Sequence, residues 1–255
     1  KAHPYREWLN ENRVQLEKLK SGRKVDNGVS DLQQKLVTFG FGQEDIDKTI
    51  IPMATAGQEP VAAMGNDTPL AVISDRPQVL FNYFRQQFAQ VTNPAIDPIR
   101  EELVMSLTEY IGAVGTTLLT PDASNCKMVR LPQPVLTNTQ LDILCNIRYK
   151  GFNTKKLPIV FEMAKGEERR GQMNNEANEN RLRQALDDLC HQAEASVDEG
   201  VNYIILSDRD LDDTHAAIPS LLAVSAVHHY LISVGKRVQT ALIVESGEIR
   251  EVMQS

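Results

Sequence analysis

Cysteine is scarce in this sequence, which has three among its 255 residues. Cys126, Cys145 and Cys190 are separated by 19 and 45 residues, and no two of them have C-x-x-C spacing. This pattern gives no disulfide framework and no zinc or iron–sulfur site. We therefore expect buried, unreactive thiols in a reducing compartment, either the cytoplasm or the stroma of an organelle.

An excess of basic charge is also missing. The formal net charge is −7 and the pI is about 5.3, so we expect no nucleic-acid partner. No apolar run approaches the roughly 20 residues that span a bilayer, and "KAHPYREW" at the start has no signal-peptide core. We expect no membrane partner either. The first residue is not Met, and "GEIREVMQS" at the end is typical of the first turns of a helix, so we expect a piece cut from a longer protein.

The familiar motifs of catalysis are absent as well. The sequence contains no G-x-G-x-x-G between a strand and a helix and no P-loop. It contains no nucleophile elbow, no H-E-x-x-H and no plausible Ser/His/Asp spacing. We therefore assign no catalytic residue, no cofactor-binding residue and no metal ligand to this chain.

The second half of the chain alternates strands and helices. Strands are predicted over residues 157–163, 201–207 and 238–246, and helices over 176–200 and 218–235. The strand at 201–207, "VNYIILS", is apolar almost throughout, as expected when both faces are covered. Short connections in the order βαβαβ predict an α/β fold with a parallel sheet.

The first half is helical, with a loop that carries two prolines. In "QVTNPAIDPIREELVMS" (90–106), Asp97 is a good helix N-cap and Pro98 a good first helical residue. We expect a helix from there to Gly112. The apolar residues expected to form its buried stripe are Ile99, Leu103, Leu107, Tyr110 and Ile111.

An acidic cluster follows the strand at 201–207. The segment "SDRDLDDTH" contains four aspartates and a histidine between Asp208 and His215, where α/β proteins place metal ligands and catalytic groups. Such residues also turn chains and cap helices. A free-standing, metal-dependent α/β hydrolase that uses the Asp208–His215 cluster is therefore an alternative function.

Residues 53–107, from "MATAGQEP" to "EELVMSL", closely resemble the central domain of the glutamate synthase large subunit. The resemblance continues in "ILSDR" (205–209), "IPSLLAVSAVHHYLI" (218–232) and "ALIVESGEIREV" (241–252). It implies parallel β/α units like a partial or modified TIM-type barrel, with a helical N-terminal part. Residues 1–29 would connect from a preceding amidotransferase domain, and 30–255 would be the central domain, truncated at its C-terminus.

The resemblance also implies a function. The complete enzyme would release ammonia from glutamine, pass it through an internal tunnel, and make glutamate from 2-oxoglutarate with NAD(P)H or ferredoxin as reductant. The parent would carry FMN and an iron–sulfur cluster outside this chain, in the cytoplasm or a plastid stroma. The partners of this chain would be the amidotransferase and FMN-binding domains of the same polypeptide, with a reductase subunit or ferredoxin reached through the parent.

The central domain would itself be non-catalytic and would help to form the tunnel. The "VTNPAIDP" loop offers Thr92 and Asn93 as polar tunnel lining and Ile96 as an apolar barrier to water, held rigid by proline. The same loop could instead be a simple corner between helices. An interaction module without any role in the tunnel is a further alternative.

Overall fold

The computed structural model describes residues 3–20, 31–57, 70–75, 78–84, 95–113, 119–149, 151–163, 175–251 and 254. The α-helices in these residues are α1 (Tyr5–Asn12), α2 (Leu32–Thr38), α3 (Ile51–Ala56), α4 (Glu101–Val104), α5 (Asn138–Cys145), α6 (Asn175–Asp198) and α7 (Ser220–Ser233). The strands are β1 (Val14–Gln15), β2 (Glu109–Ile111), β3 (Val129–Leu131), β4 (Thr154–Pro158), β5 (Val160–Glu162), β6 (Tyr203–Ser207), β7 (His215–Ala217) and β8 (Ala241–Glu245).

A parallel sheet forms the centre of the second half. Its strand order is β4-β6-β8, with Lys156 beside Ile205 and Ile205 beside Ile243. All five residues of the middle strand β6 are buried, as the apolar run at 201–207 predicted. The α/β prediction is confirmed, and both predicted helices and the strands predicted at 201–207 and 238–246 are present with ends shifted by a few residues. The described residues form open sheets, not a closed barrel, which is consistent with a partial or modified barrel.

Two apolar clusters cover the parallel sheet. In one, Ile204 and Leu206 of β6 pack with residues of α6 and α7, and in the other Tyr203 packs with residues of β1, β3 and α5. Successive strand residues point to opposite faces, so alternate positions of β6 enter the two clusters.

The expected single strand at 157–163 is two strands. β4 ends at Pro158, and β5 pairs antiparallel with β7 in a separate two-stranded sheet. Between them, the N–H of Ile159 donates to Ser207 and its carbonyl accepts from Ile218. Pro158 has no N–H to extend a ladder, so a change of partner at this point leaves no donor unpaired.

The expected helix from Asp97 to Gly112 is wrong beyond its first turns. Asp97 does cap the turn at residues 98–100 that leads into α4, since its Oδ1 accepts from the N–H groups of Ile99 and Arg100 at 3.0 and 3.1 Å. The helix ends at Val104, and β2 then pairs antiparallel with β3. Pairing with a strand about 20 residues further along is a tertiary effect that local spacing does not report.

Part of the predicted connector takes part in a sheet. β1 pairs in parallel with β3, and Leu16 directly after it is buried in the same cluster as Val129. The boundary at residue 29 stays a prediction.

The chain divides into two compact units. The first comprises Lys1–Asn27 and Leu107–Ser246, and the second Gly28–Ser106 and Gly247–Ser255. Every described apolar side chain that is buried belongs to the first unit.

The second unit is tied together by one arginine. The Arg250 guanidinium pairs with Asp45 at 2.9 Å, donates to the carbonyl of Phe39, and lies 4.0 Å from the centre of the Phe41 ring. Asp45 begins a π-helix that runs directly into α3. Pro52, near the start of α3, has no N–H to donate to the carbonyl four residues before it.

In the parts of the chain described above, no helix is long and apolar enough to cross a membrane.

Candidate functional site

The carboxyl edge of the parallel sheet holds a polar cluster. Lys156 in the middle of β4, Ser207 at the end of β6 and Glu245 at the end of β8 lie on one face of the sheet. The Glu245 carboxylate accepts from Lys156 Nζ at 2.7 Å and from Ser207 Oγ at 2.6 Å. This ionic group therefore joins all three parallel strands.

Arg209 adds a third donor to the same carboxylate. Its Nε donates to Glu245 Oε1 at 2.6 Å, and its Nη2 donates to Asn138 at the start of α5 at 3.4 Å. Burial opposes ionisation of Glu245, but the hydrogen bonds from Lys156, Ser207 and Arg209 outweigh it and lower the pKa of Glu245. The carboxylate is therefore ionised at neutral pH and already occupied by donors.

A second carboxylate, that of Asp208, lies directly after β6. Asp208 is buried, and its Oδ2 accepts from Ser246 Oγ at 2.6 Å. Its N–H donates to the Glu245 carbonyl, so the chain leaving β6 is fastened to the chain leaving β8. These two hydrogen bonds therefore stabilise the connection after β6.

The acidic segment after β6 is folded as a turn around Asp212. Its Oδ1 accepts from the N–H groups of Thr214 and His215 at 2.7 and 2.9 Å, and lies 2.8 Å from His215 Nδ1. Hydrogen bonding to His215, then to Thr214, holds the pKa of Asp212 well below its usual range. The described residues contain no group of three or more His, Cys, Asp or Glu side chains that could hold a metal ion. The hydrolase alternative therefore has no support, and the turn-forming interpretation explains Asp212.

The three cysteines lie apart as free thiols. Cys190 is buried, and Cys126 and Cys145 are half-buried. Burial raises the pKa of the Cys145 and Cys190 thiols. Both are therefore protonated at neutral pH and poorly suited to act as nucleophiles.

The structure describes one of the three tunnel residues expected from the sequence. Thr92 and Asn93 lie outside the described residues. Ile96 is half-buried, directly before the Asp97 cap. A role for these three residues in the tunnel stays a prediction.

Sequence analysis did not single out Lys156, Ser207 or Glu245. The available signal was positional for Ser207 and Glu245, which are the polar last residues of strands that are otherwise apolar. Lys156 lies in the middle of β4, after Thr154 and Lys155, so no such signal marks it. Their mutual contact depends on the pairing register, which no local pattern gives.

Comparison with known proteins gives one family. The sequence model described as the glutamate synthase central domain matches residues 34–255. The NADPH-type glutamate synthase large chain of Bacillus subtilis is 42% identical over 250 residues, covering 98% of this chain and 15% of that protein. The chloroplastic ferredoxin-dependent glutamate synthase of Spinacia oleracea is 40% identical over 252 residues, covering 97% of this chain and 14% of that protein.

A third relative is the NADH-type glutamate synthase of Schizosaccharomyces pombe, 39% identical over 219 residues, covering 85% of this chain and 10% of that protein. The chain thus spans about a seventh or less of the length of these relatives. The match extends from α2 to the last residue and includes every strand of the parallel sheet. The chain belongs to the glutamate synthase central domain family.

Proposed function

We propose that this chain is the central, non-catalytic domain of a glutamate synthase, an oxidoreductase that forms glutamate from glutamine and 2-oxoglutarate. It links an amidotransferase domain to an FMN-binding domain of the same polypeptide and helps to form the tunnel that carries ammonia between them. The observation that carries the proposal is the match of residues 34–255 to the family model, together with relatives that are several times longer than this chain.

The chemistry of the carboxyl edge supports a non-catalytic role. In open parallel sheets, ligands bind outside the carboxyl ends of the strands. Here Glu245 is occupied at that edge by Lys156, Ser207 and Arg209. Ion pairs between strands stabilise a scaffold. The Glu245 carboxylate is already bound to these donors, so it is not free to act as a base.

The residues that the structure describes do not fit either cofactor of the proposed enzyme. The described cysteines do not form a metal-binding group, as an iron–sulfur cluster would require. The connection after β6 carries Asp208, Asp210, Asp212 and Asp213, whose charges repel a phosphate such as that of FMN. FMN and the cluster are therefore assigned to other parts of the polypeptide, together with the contacts to NAD(P)H, a reductase subunit or ferredoxin.

The assignment of regions follows the same proposal. Residues 1–29 connect from the amidotransferase domain, and 30–255 belong to the central domain. Thr92, Asn93 and Ile96 line the tunnel. The location is the cytoplasm, or the plastid stroma in a photosynthetic eukaryote.

The tunnel assignment is tested in the full-length polypeptide with Asn93→Phe and, as a matched control, Asn93→Ala. A bulky ring narrows a passage for ammonia but leaves distant active sites unchanged. We expect Asn93→Phe to lower glutamine-dependent glutamate formation about tenfold relative to formation from added ammonia, about 1.4 kcal/mol in effective barrier. Asn93→Ala should leave this ratio unchanged, because a smaller side chain cannot block the passage.

The two outcomes that oppose the proposal are distinct. If both rates stay coupled and Asn93→Phe lowers only the melting temperature, the loop is a corner and the tunnel runs elsewhere. If the unmodified full-length protein makes no glutamate from glutamine and 2-oxoglutarate, the proposed function itself is wrong.

A further inference from the structure

One histidine and one arginine bind each other where the chain passes from α7 to β8. His228 lies in the second half of α7, and Arg237 begins a 3-10 helix (Arg237–Gln239) in the short connection to β8. Arg237 Nε donates to His228 Nδ1 at 2.9 Å, and Arg237 Nη1 donates to the carbonyl of Thr240 at 2.9 Å. Arg237 therefore ties α7 to the residue that directly precedes β8.

The direction of the first hydrogen bond determines the protonation state of His228. A guanidinium keeps its protons at physiological pH and has no acceptor atom, so Arg237 is the donor. Nδ1 of His228 must therefore carry a lone pair, and the imidazole is neutral with its proton on Nε2. Protonation of Nδ1 would replace this acceptor with a second donor and would place two cations at hydrogen-bond distance.

The surroundings of His228 favour its neutral form. His228 and Arg237 are both half-buried. Burial lowers the pKa of His228, and interaction with the charges of Arg237 and of protonated His229 lowers it further. The folded-state pKa is thus below the ordinary value of 6.5. The stability that neutral His228 contributes is therefore present above pH 6.5 and lost as the pH falls through the folded-state pKa.

The carboxylates near α7 are bound to other partners. α6, the 3-10 helix after α7, and β8 all pack against α7. The titratable side chains of α6 that face α7 and the turn after it include His191, Glu194 and Asp198. The two carboxylates accept from Lys236 Nζ at 2.8 Å each, and His191 lies against the ring of Tyr230. On β8 the titratable residue is Glu245, at the opposite end of the strand from the connection.

We propose that His228 and Arg237 form a pH-sensitive switch, which holds the connection between α7 and β8 in neutral solution and releases it in mildly acid solution. Protonation of His228 breaks its hydrogen bond with Arg237, and repulsion moves the guanidinium away from α7. The carbonyl of Thr240, a buried residue, then loses this donor, which costs free energy unless the connection opens to water. The result is local opening of residues 234–240 at the amino edge of the parallel sheet.

This switch goes beyond the proposed function and does not rest on it, because it uses contacts within the 255 residues alone. It is also separate from Glu245 at the carboxyl edge of the same sheet. The pKa of Glu245 lies below 4.5, so this carboxylate stays ionised while His228 titrates. The two edges of the sheet therefore respond to acid in different pH ranges, and the amino edge responds between about pH 5 and 8, where histidine acts as a switch.

Amide hydrogen exchange, measured by mass spectrometry on the full-length polypeptide, tests the switch. Each exchange rate is divided by that of an unstructured peptide at the same pH, because intrinsic exchange itself depends on pH. We expect the protection of residues 235–241 to fall about tenfold between about pH 7.5 and 5.5, while β6 stays protected. Equal protection of residues 235–241 at the two pH values would overturn the proposal.

Two glutamine variants separate the switch from a general loss of stability in acid. The amide oxygen of His228→Gln can accept from Arg237 but does not titrate, so this variant should keep its protection at both pH values. His229→Gln is the matched control, since His229 is the next residue and is exposed. It should show the same fall in protection as the native protein. A His228→Gln variant with the native pH dependence would overturn the proposal.

Exchange of the histidine C2 hydrogen gives a second measurement, which reports the pKa of His228 directly in the native protein. We expect this pKa to be below 6.5. In Arg237→Gln it should rise towards 6.5, because the neighbouring cation is gone. A native pKa at or above 6.5 would mean that Arg237 does not oppose protonation of His228, and would overturn the proposal.

Discussion

At the scale of single residues, Glu245 is the most informative side chain, because it joins three parallel strands. It is 13% exposed and binds Lys156, Ser207 and Arg209. We predict that Glu245→Gln lowers the free energy of unfolding by about 1–3 kcal/mol at pH 7, since two cations lose their charged partner. Chemical denaturation monitored by circular dichroism measures the change.

The surface ion pair formed by Lys155, the residue before Lys156, provides the control. Lys155 pairs with Glu199 at 2.9 Å, but Glu199 is 60% exposed. Glu199→Gln should cost no more than about 0.5 kcal/mol, because water screens the pair. An equal loss in both variants would contradict the special role of Glu245.

The pH dependence of stability follows from the same carboxylate. Its folded-state pKa is below the ordinary value of 4.5. The stability it contributes is therefore fully present above pH 4.5 and lost as the pH falls through the folded-state pKa. We predict that the stability difference between the native chain and Glu245→Gln is constant from pH 7 down to about 5 and shrinks in more acid solution. A constant difference throughout a denaturation series from pH 7 to 3 would show that charge is not the cause.

At the scale of elements, the strand pair β2–β3 depends on a close approach at Gly112. A Cβ atom built there would lie 2.9 Å from the backbone carbonyl oxygen of Lys127 and 3.3 Å from Cα of Met128. Backbone atoms cannot swing aside as a side chain can. Gly112 thus allows the backbones to approach in a strand pair, although the sequence suggested that it stops a helix.

We predict that Gly112→Ala destabilises the chain by about 1–3 kcal/mol, because the strands must separate. Gly42→Ala is the control, since its Cβ would meet only Asp45 Oδ2, at an ordinary 3.5 Å, and its φ is not positive. Thermal unfolding of both variants tests the difference. If Gly112→Ala is as stable as Gly42→Ala, the close backbone approach at Gly112 does not limit the pairing of β2 and β3.

At the scale of the whole molecule, we predict that the 255-residue chain binds no free FMN. The acidic connection after β6 repels phosphate at the edge where parallel sheets receive nucleotides. Titrated FMN should keep its free fluorescence in the presence of the purified, untagged chain. Stoichiometric quenching with a micromolar Kd would contradict the assignment of the flavin to another domain.

The sequence by itself determined the parallel β/α half, the Asp97 cap and the family. The spacing of apolar residues within a segment does not depend on how that segment packs against others. α6, α7 and the buried strand β6 could therefore be predicted from spacing alone. The aspartates after β6 were recognised as possible turn formers for the same reason, because Asp212 bonds to residues two and three positions away.

Only the tertiary structure decided what happens where distant segments meet. Residues 109–111 have helical spacing but form β2, because β3 offers backbone partners that a local pattern cannot contain. Glu245 meets Ser207 and Lys156 through strand register, across 38 and 89 positions of sequence. Ile99 and Leu103 were expected in a core and lie exposed, because burial depends on which surface is present to cover them.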